Sequence, residues 1–237
     1  MIPIFSVIIP CYNEEDNLKS LFLRVLDLLR KEPKAEIVLV NNGSTDNSLS
    51  LMNSFRLENN GLHISIANVK KNQGYGFGIL EGLKLAKSDV LAWTHADLQT
   101  DLMDCITAFD VYQKQTNPSN VLVKGVRIER GIAETLLSYG MAFYSSMKLK
   151  SWITEINAQP KMFSRSFYDR AKTNAPNDFS LDLHWVYFAK KNGSIKTIPV
   201  QFLPRVAGEA KGGSGSSLKT KIKIIKRTLN YVNQLKK

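Results

Sequence analysis

The sequence predicts an α/β protein with a Rossmann-like, mostly parallel sheet flanked by helices. Short runs that are mostly apolar alternate along the first half with segments whose apolar residues lie three or four positions apart. Continuous apolar runs are typical of strands covered on both faces, and the wider spacing is typical of helices. Repeated strand and helix segments of this kind indicate βαβ units and hence a parallel sheet.

Five strands are predicted in the first half, over residues 4–9, 36–40, 63–67, 90–94 and 121–126. Apolar residues at helical spacing fill the intervening segments, at positions 18–29, 49–55, 77–85 and 102–112. Residues 42–46 (NGSTD) supply a turn glycine and several N-cap candidates between the second strand and its helix.

The second half is less regular. It predicts a helix over residues 132–149, a short extended piece over 161–164, a helix over 181–191 and a late strand over 195–203. Residues 208–217 (GEAKGGSGSS) are expected to form a flexible loop. We therefore expect one domain over residues 1–217.

The net charge of +11 is concentrated at the C-terminus. Residues 205–237 carry nine basic side chains and one acid, whereas the other 204 residues carry a net charge of only +3. No basic stripe crosses the body, so a nucleic-acid partner is not expected. With two cysteines, no secretory leader pattern and no long apolar stretch, we expect a cytoplasmic protein, or one at the cytoplasmic face of the membrane.

Residues 218–237 predict a basic amphipathic helix, since Leu218, Ile222, Ile225, Leu229, Val232 and Leu235 fall on one stripe. Such a helix lies well on an anionic membrane surface, which would make membrane contact peripheral. The stripe is equally compatible with packing on the body of the protein or on a second subunit. The sequence leaves these alternatives open.

Polar clusters follow four of the predicted strands, as residues 10–15 (PCYNEE), 41–46 (NNGSTD), 72–78 (NQGYGFG) and 95–99 (HADLQ). The carboxyl ends of parallel strands form the ligand edge of an open α/β sheet. Tyr12, Asn41 and Asn42 suit a nucleobase, and Asp97 suits a divalent ion between two phosphates. The glycines of the third cluster permit close backbone approach at a helix start.

These clusters, in this order, resemble those of the family 2 glycosyltransferases with the GT-A fold, and especially the branch that resembles dolichyl-phosphate mannosyltransferases. The resemblance runs from about residue 4 to residue 215. The matching residues are Pro10, Tyr12, Asn13 and Glu14; residues 40–46; Asn72, Gly74 and Gly76; residues 95–99; Gly125 and Arg127; residues 159–165; and Arg205, Gly208 and Lys211.

The resemblance implies a site for a nucleotide-sugar and a divalent metal, Mg²⁺ or Mn²⁺, with Asp97 as the metal ligand. It implies that Asp182, near the start of a late helix, is the catalytic base, with Asp178 in reserve. Arg205 and Lys211 would close over the donor diphosphate. The implied nucleotide-sugar-binding residues are Pro10, Tyr12, Glu14, Asn41, Asn42, Asn72, Gly74, His95, Asp97, Gln99, Arg127, Arg205 and Lys211.

The sequence departs from the family pattern at several positions. Asn41 replaces an aspartate that contacts the nucleobase, and His95 replaces the first aspartate of the metal motif. His95 is compatible with metal ligation, with a hydrogen bond to phosphate, or with a turn cap. Glu134, four residues before Ser138, stands at the position where the polyprenyl-phosphate branch has an arginine for the acceptor phosphate. A carboxylate at this position would repel a phosphate acceptor. Ala210 replaces a serine of the late motif.

The function implied is metal-dependent, inverting transfer of a sugar from a UDP- or GDP-sugar to a hydroxyl of a membrane-associated glycan or glycolipid. Transfer to a polyprenyl phosphate is the first alternative, because it fits the similar branch. A sugar-nucleotide-binding protein without catalysis is the second, because His95 and Asn41 depart from the pattern. The oligomeric state stays open.

Overall fold

The computed structural model describes residues 2–128, 144, 146–203 and 218–235. Its strands are β1 (Phe5–Cys11), β2 (Ala35–Asn42), β3 (Ile64–Val69), β4 (Val90–Trp93), β5 (Val121–Ile128), β6 (Lys161–Ser164) and β7 (Ser194–Gln201). Its helices are α1 (Glu15–Lys31), α2 (Ser48–Glu58), α3 (Tyr75–Leu85), α4 (Asp104–Gln113), α5 (Arg165–Ala171), α6 (Leu181–Asn192) and α7 (Leu218–Leu235). A short 3₁₀ turn, Pro118–Asn120, precedes β5.

The seven described strands form one sheet in the order β3-β2-β1-β4-β6-β5-β7. Strand β6 runs antiparallel to both of its neighbours, β4 and β5, and the other strand pairs are parallel. The mostly parallel sheet that the sequence predicts is therefore confirmed. The reversed direction of β6 was not predicted, because the composition of a four-residue strand does not reveal its direction.

Helices cover both faces of the sheet, and each face has its own core. Strand β1 shows the division, since Val7 and Ile9 face the core built with α1, α2 and α4, whereas Ile8 faces the core built with α3, α5, α6 and α7. Successive side chains of a strand point to opposite faces, so a strand covered twice must be apolar throughout. This is why the first predicted strands lack polar alternation.

Helix α5 was not predicted, although its start has a simple local cause. The hydroxyl of Ser164 accepts a hydrogen bond from the backbone N–H of Phe167 at 2.9 Å and caps the helix. Phe167 and Ala171 then lie four residues apart on the buried face. Of the helix predicted over residues 132–149, residues 144 and 146–149 are helical, and the others lie outside the described residues. The loop predicted over residues 208–217 also lies outside them.

The final helix, α7, packs on the body of the protein through its C-terminal half. Val232 is fully buried and Tyr231 is nearly so. The Tyr231 hydroxyl donates to Nδ1 of His184 on α6 at 2.6 Å, and Nε2 of His184 donates to the Ala171 carbonyl at 2.6 Å. Burial lowers the pKa of His184, which keeps the ring neutral between these two partners. No helix within the described ranges combines the length and apolar character needed to span a bilayer.

Candidate active site

A cleft of about 320 Å³ opens where β1, β2 and β4 end. Its walls come from the turns after these strands, from the start of α3, from the segment before α6 and from α7. The lining residues are Pro10, Cys11, Tyr12, Glu14, Asn42, Asn72, Gly74, Tyr75, His95, Ala96, Asp97, Asp178, Phe179 and Arg227. The parallel direction of the three strands explains why clusters that are far apart in sequence meet at this edge.

Most of the predicted nucleotide-sugar residues meet in this cleft. Pro10, Tyr12, Glu14, Asn42, Asn72, Gly74, His95 and Asp97 all line it. Asn41, Gln99 and Arg127 are not among its lining residues. Arg205 and Lys211, and also Glu134, lie outside the described residues.

Asn41 is buried near the end of β2 and uses its amide locally. Its Nδ2 donates to Oδ1 of Asn68 at 2.8 Å, and its Oδ1 accepts from the backbone N–H of Ser44 at 3.2 Å. Both ends of the amide are therefore engaged by the protein itself. The structure gives Asn41 a part in shaping the turn, and the predicted contact with a nucleobase stays a prediction.

Arg127 and Gln99 also bind other parts of the chain. Nε of Arg127 donates to Glu155 at 2.7 Å, and its guanidinium lies over the ring of Phe202. The backbone N–H of Leu203 donates to the Gln99 carbonyl at 2.8 Å. Both residues thus hold the segment that ends at residue 203. Arg205 and Lys211 come shortly after this segment in the sequence.

The start of α3 is shaped by close approach of the backbone. Gly74 has φ +126°, and a Cβ there would lie 2.2 Å from the carbonyl oxygen of Asn177. That same oxygen accepts from the N–H of Phe77 at 3.0 Å, so it satisfies an N–H of the helix start. The glycine therefore lets residues 176–178 cross the helix start, which brings Asp178 to the cleft.

Asn42 is held in the cleft wall by the same region. Its Nδ2 donates to the carbonyl of Gly74 at 3.0 Å. A Cβ at Gly78 would lie 2.7 Å from the amide carbon of Asn42, so a larger residue there would displace the side chain. This glycine of the third motif makes room for a side chain of the second motif.

His95 belongs to a polar network with Tyr75 and Gln159. The hydroxyl of Tyr75 lies 2.9 Å from Nε2 of His95. Burial, together with the carboxylates of Asp182 and Asp97, raises the pKa of Tyr75 well above its ordinary value, so this hydroxyl stays protonated. A protonated hydroxyl can donate to Nε2 or accept from it, so this hydrogen bond is compatible with either tautomer of the His95 ring.

Gln159 contacts the same ring nitrogen of His95 as Tyr75 does. Its Nε2 donates to Oδ1 of Asp182 at 3.0 Å and lies 3.4 Å from Nε2 of His95. Because a carboxylate accepts only, the amide nitrogen must face Asp182, and it also lies 3.4 Å from the Tyr75 hydroxyl. Tyr75, His95, Gln159 and Asp182 therefore form one connected polar network.

Asp182 lies behind the cleft and is not among its lining residues. It is 1% exposed, and its carboxylate forms a buried ion pair with Nζ of Lys161. Burial lowers the pKa of Lys161, and the Asp182 carboxylate opposes that shift. Lys161 also donates to the carbonyl of Ala158 at 3.1 Å. One side chain, that of Gln159, separates this ion pair from His95.

Asp178, the reserve candidate for the base, lines the cleft directly. Its Oδ1 accepts from the backbone N–H of Ser180 at 2.9 Å, just before α6 begins. The neighbouring Phe179 ring stacks on Tyr75 with centroids 4.8 Å apart. Between the two candidates, Asp178 is therefore the carboxylate that a bound molecule can reach.

The donors around Asp97 fit a divalent cation that is shared with a substrate. The Asp97 carboxylate lines the cleft, where its Oδ1 accepts from the backbone N–H of Gln99 at 3.2 Å. Mg²⁺ commonly takes one or two protein carboxylates together with substrate phosphates. Within the described ranges, no group of three or more His, Cys, Asp or Glu side chains is arranged to hold an ion alone.

Arg227, on α7, also lines the cleft, and sequence reasoning missed it. The sequence places it only on the polar side of an amphipathic stripe. Its position follows from the docking of α7 through Tyr231 and Val232, which turns Arg227 towards the cleft. The concentration of charge at the C-terminus was the signal that could have indicated it.

Comparison with known proteins agrees with this geometry. Residues 6–174 match the sequence profile of Glycosyl transferase family 2. The chain is 23% identical to the dolichyl-phosphate beta-glucosyltransferase of Dictyostelium discoideum, over 78% of this chain and 62% of that protein. It is 39% identical to the undecaprenyl-phosphate 4-deoxy-4-formamido-L-arabinose transferase of Pectobacterium atrosepticum, over 40% of this chain and 29% of that protein. The chain thus spans less than two thirds of either relative.

The fold is also that of a solved enzyme. Glucosyl-3-phosphoglycerate synthase from Mycobacterium tuberculosis, solved with Mn²⁺, UDP-glucose and phosphoglyceric acid, superposes with a TM-score of 0.71 at 14% identity. The match covers 97% of this chain and 78% of that one. At this identity the likeness shows the fold, which is the GT-A fold.

Proposed function

The chain belongs to glycosyl transferase family 2, and from that premise we propose that it transfers a sugar from a UDP- or GDP-sugar to a hydroxyl of a membrane-associated glycan or glycolipid, with inversion at the anomeric carbon. The observation that carries the proposal is the cleft at the ends of β1, β2 and β4. It brings Tyr12, Asn42 and Asp97 together with a reachable carboxylate, Asp178. A donor site and a base thus share one space.

The charges of the cleft support a donor that binds together with a metal. Glu14, Asp97 and Asp178 are its acidic lining residues, and Arg227 is its lining guanidinium. A nucleoside diphosphate sugar is itself an anion, so these carboxylates would repel it without a compensating cation. A divalent ion at Asp97 would neutralise this charge and act as a Lewis acid on the leaving diphosphate.

The side chains divide the remaining work. Arg227 lies where a guanidinium can neutralise diphosphate charge, and His95 also lines the cleft. Of the three roles left open for His95, we propose the phosphate contact, made through Nδ1 because Nε2 contacts Tyr75. Asp97 is then the protein's ligand to the metal.

The transfer itself is a single displacement. The acceptor oxygen forms a bond to the anomeric carbon while the bond from that carbon to the diphosphate oxygen breaks, and the electron pair of the broken bond stays on the nucleoside diphosphate. The proton of the acceptor hydroxyl passes to the carboxylate of Asp178. General-base assistance of this kind contributes roughly 10²- to 10⁴-fold.

Transfer to a polyprenyl phosphate is the second candidate. The relatives named above carry dolichyl- and undecaprenyl-phosphate in their names. Asp182, the first candidate base, lies in a buried ion pair. A phosphate acceptor is already ionised and needs no base, so this alternative would leave Asp182 with a structural role.

Nucleotide release from UDP- and GDP-sugars tests the proposal, with membrane glycans or a short polyprenyl phosphate as acceptor and Mn²⁺ present. We expect acceptor-dependent release of UDP or GDP and a glycan product heavier by one sugar. Sugar transferred to the polyprenyl phosphate instead would support the second candidate. Nucleotide binding without turnover would indicate a sugar-nucleotide-binding protein and overturn both.

A further inference from the structure

A second cavity of about 600 Å³ lies directly beside the donor cleft. The two share Asn72, Gly74, Asp178 and Arg227, so they meet at the start of α3. The second cavity extends away from His95 and Asp97, between the segment that precedes α6 and helix α7. The donor and the metal, as proposed above, do not occupy this second cavity.

The lining of this cavity, which we call the amide cavity, is rich in carboxamides. Of its eleven lining residues, five carry one: Asn72, Gln73, Asn177, Asn230 and Gln234. Among the hydrogen bonds within the described part of the chain, none involves the side-chain amides of Gln73, Asn177, Asn230 or Gln234. Each of these amides can both donate and accept, so together they offer unused capacity for hydroxyl groups.

The charge of the amide cavity indicates a neutral ligand. Asp178 and Arg227 are its ionised lining residues, and their charges cancel. A cavity for a phosphate would be expected to carry an excess of Lys or Arg. Tyr231 and Pro176 add apolar surface to the lining, on which the C–H face of a sugar ring can pack.

Helix α7 presents one face to this cavity. Arg227, Asn230 and Gln234 are spaced by three and four residues, which places them on one side of a helix. The buried Val232 and the Tyr231–His184 hydrogen bond hold this face in place. The basic C-terminal helix is thus a wall of the site.

We propose that the amide cavity binds the neutral saccharide part of the acceptor, and that the reacting hydroxyl lies at Asp178, where the two cavities meet. This inference rests on the proposed function, since an acceptor must reach a donor bound beside Asp97. It makes the acceptor a neutral glycan and gives α7 a part in recognising it.

Saccharide titration of the full chain by NMR tests this assignment. The panel contains methyl glycosides of glucose, galactose, mannose and N-acetylglucosamine, together with lactose, maltose and cellobiose, and geranyl phosphate serves as the anionic comparator. We expect a neutral saccharide to bind the wild-type protein. The double variant Asn230→Ala/Gln234→Ala should bind it about tenfold more weakly, because two bonding amides are lost.

Asn233→Ala is the matched control, because Asn233 is an exposed asparagine of α7 that does not line the cavity. It should bind the saccharide like the wild type, and both variants should bind UDP or GDP within twofold of the wild type. Absence of saccharide binding, equal binding by the double variant, or binding of geranyl phosphate alone would overturn the inference. If the wild-type protein bound neither UDP nor GDP, that result would instead contradict the proposed function.

Discussion

At the residue scale, His95 shows how a departure from a family motif changes chemistry. Its Nε2 is occupied by Tyr75 at 2.9 Å, whereas an aspartate at this position would add a second carboxylate beside Asp97. We expect His95→Asp to raise the affinity for Mn²⁺ in the presence of UDP by roughly tenfold, since ligand charge tunes the affinity for hard cations. Calorimetric titration of Mn²⁺ measures this change.

His63→Asp makes the same chemical change away from the cleft, just before β3, and should leave the affinity for Mn²⁺ unaltered. If His95→Asp weakened Mn²⁺ binding, His95 would itself be a ligand. The phosphate contact proposed for His95 would then be wrong.

Two carboxylates four residues apart should respond differently to loss of charge. Asp178→Asn keeps an oxygen that can accept from Ser180 but removes the base, so the turnover number with a hydroxyl acceptor should fall roughly 10²-fold or more. Asp182→Asn removes the charged partner of the buried Lys161 and should lower the free energy of unfolding by about 3–5 kcal/mol. Steady-state kinetics and urea unfolding of both variants measure these effects.

The reverse pattern would identify Asp182, and not Asp178, as the catalytic base. In that case Asp182→Asn would fold with unchanged stability and lose turnover, while Asp178→Asn stayed active. Full activity of both variants would favour a phosphate acceptor.

At the scale of elements, the register of β5 and β6 places two buried lysines opposite one another. Lys124 pairs with Lys161, and burial followed by the charge of Lys161 lowers the pKa of Lys124 to about 7 from its ordinary 10.5. Lys124 donates to the carbonyl of Glu155 at 2.8 Å. The lysine is therefore held mostly by neutral acceptors.

This arrangement makes stability depend on pH. Above about pH 7 the folded state lacks a proton that the unfolded state keeps until about pH 10.5, so stability rises with pH across this window. From about pH 7.5 to 9.5 the wild-type protein should gain about 2–3 kcal/mol of unfolding free energy relative to Lys124→Met. Urea unfolding at both pH values measures the difference.

Lys196→Met, which removes an exposed lysine from β7, is the control and should show no such pH-dependent difference from the wild type. A constant difference between Lys124→Met and the wild type would mean that Lys124 keeps its ordinary pKa when folded.

Helix α7 gives a second prediction at this scale. Arg227 lines the cleft, whereas its neighbour Lys226 is exposed and does not. Arg227→Ala should lower kcat/KM for the nucleotide-sugar by about tenfold or more, because a guanidinium that neutralises diphosphate charge is lost. Lys226→Ala removes the same charge and should stay within twofold of the wild type in the same kinetic assay.

Equal effects of the two substitutions would mean that Arg227 acts only through the overall positive charge of the tail and does not contact the diphosphate. The membrane contact predicted for this helix stays a prediction. The burial of Val232 and Tyr231 shows that part of its apolar stripe already packs on the body.

At the scale of the whole molecule, local patterns predicted the layout but not the contacts between distant segments. Mostly apolar runs indicated β1 to β5, and the polar clusters that follow them meet at the cleft because parallel strands end at one edge. The position of Arg227 depends on how α7 docks on α6, which no local pattern encodes. The choice between Asp178 and Asp182 depends on where α6 begins.

The charge of the molecule is unevenly divided between the body and the C-terminal region. The body is nearly neutral, and the basic C-terminal region supplies Arg227 to a cleft whose other charged lining residues are acidic. The tail and a bound cation would together offset the acidic lining. Donor binding should therefore require both.

The most direct test is a calorimetric titration of UDP and GDP into the full chain with Mn²⁺, comparing wild type, Asp97→Asn and Asp110→Asn. Asp110 is an exposed aspartate of α4, so its substitution makes the same change of charge outside the cleft. We expect Mn²⁺-dependent binding of one nucleotide, weakened at least tenfold by Asp97→Asn and unchanged by Asp110→Asn. Binding that Asp97→Asn leaves intact, or no binding of either nucleotide, would contradict a donor site built around Asp97.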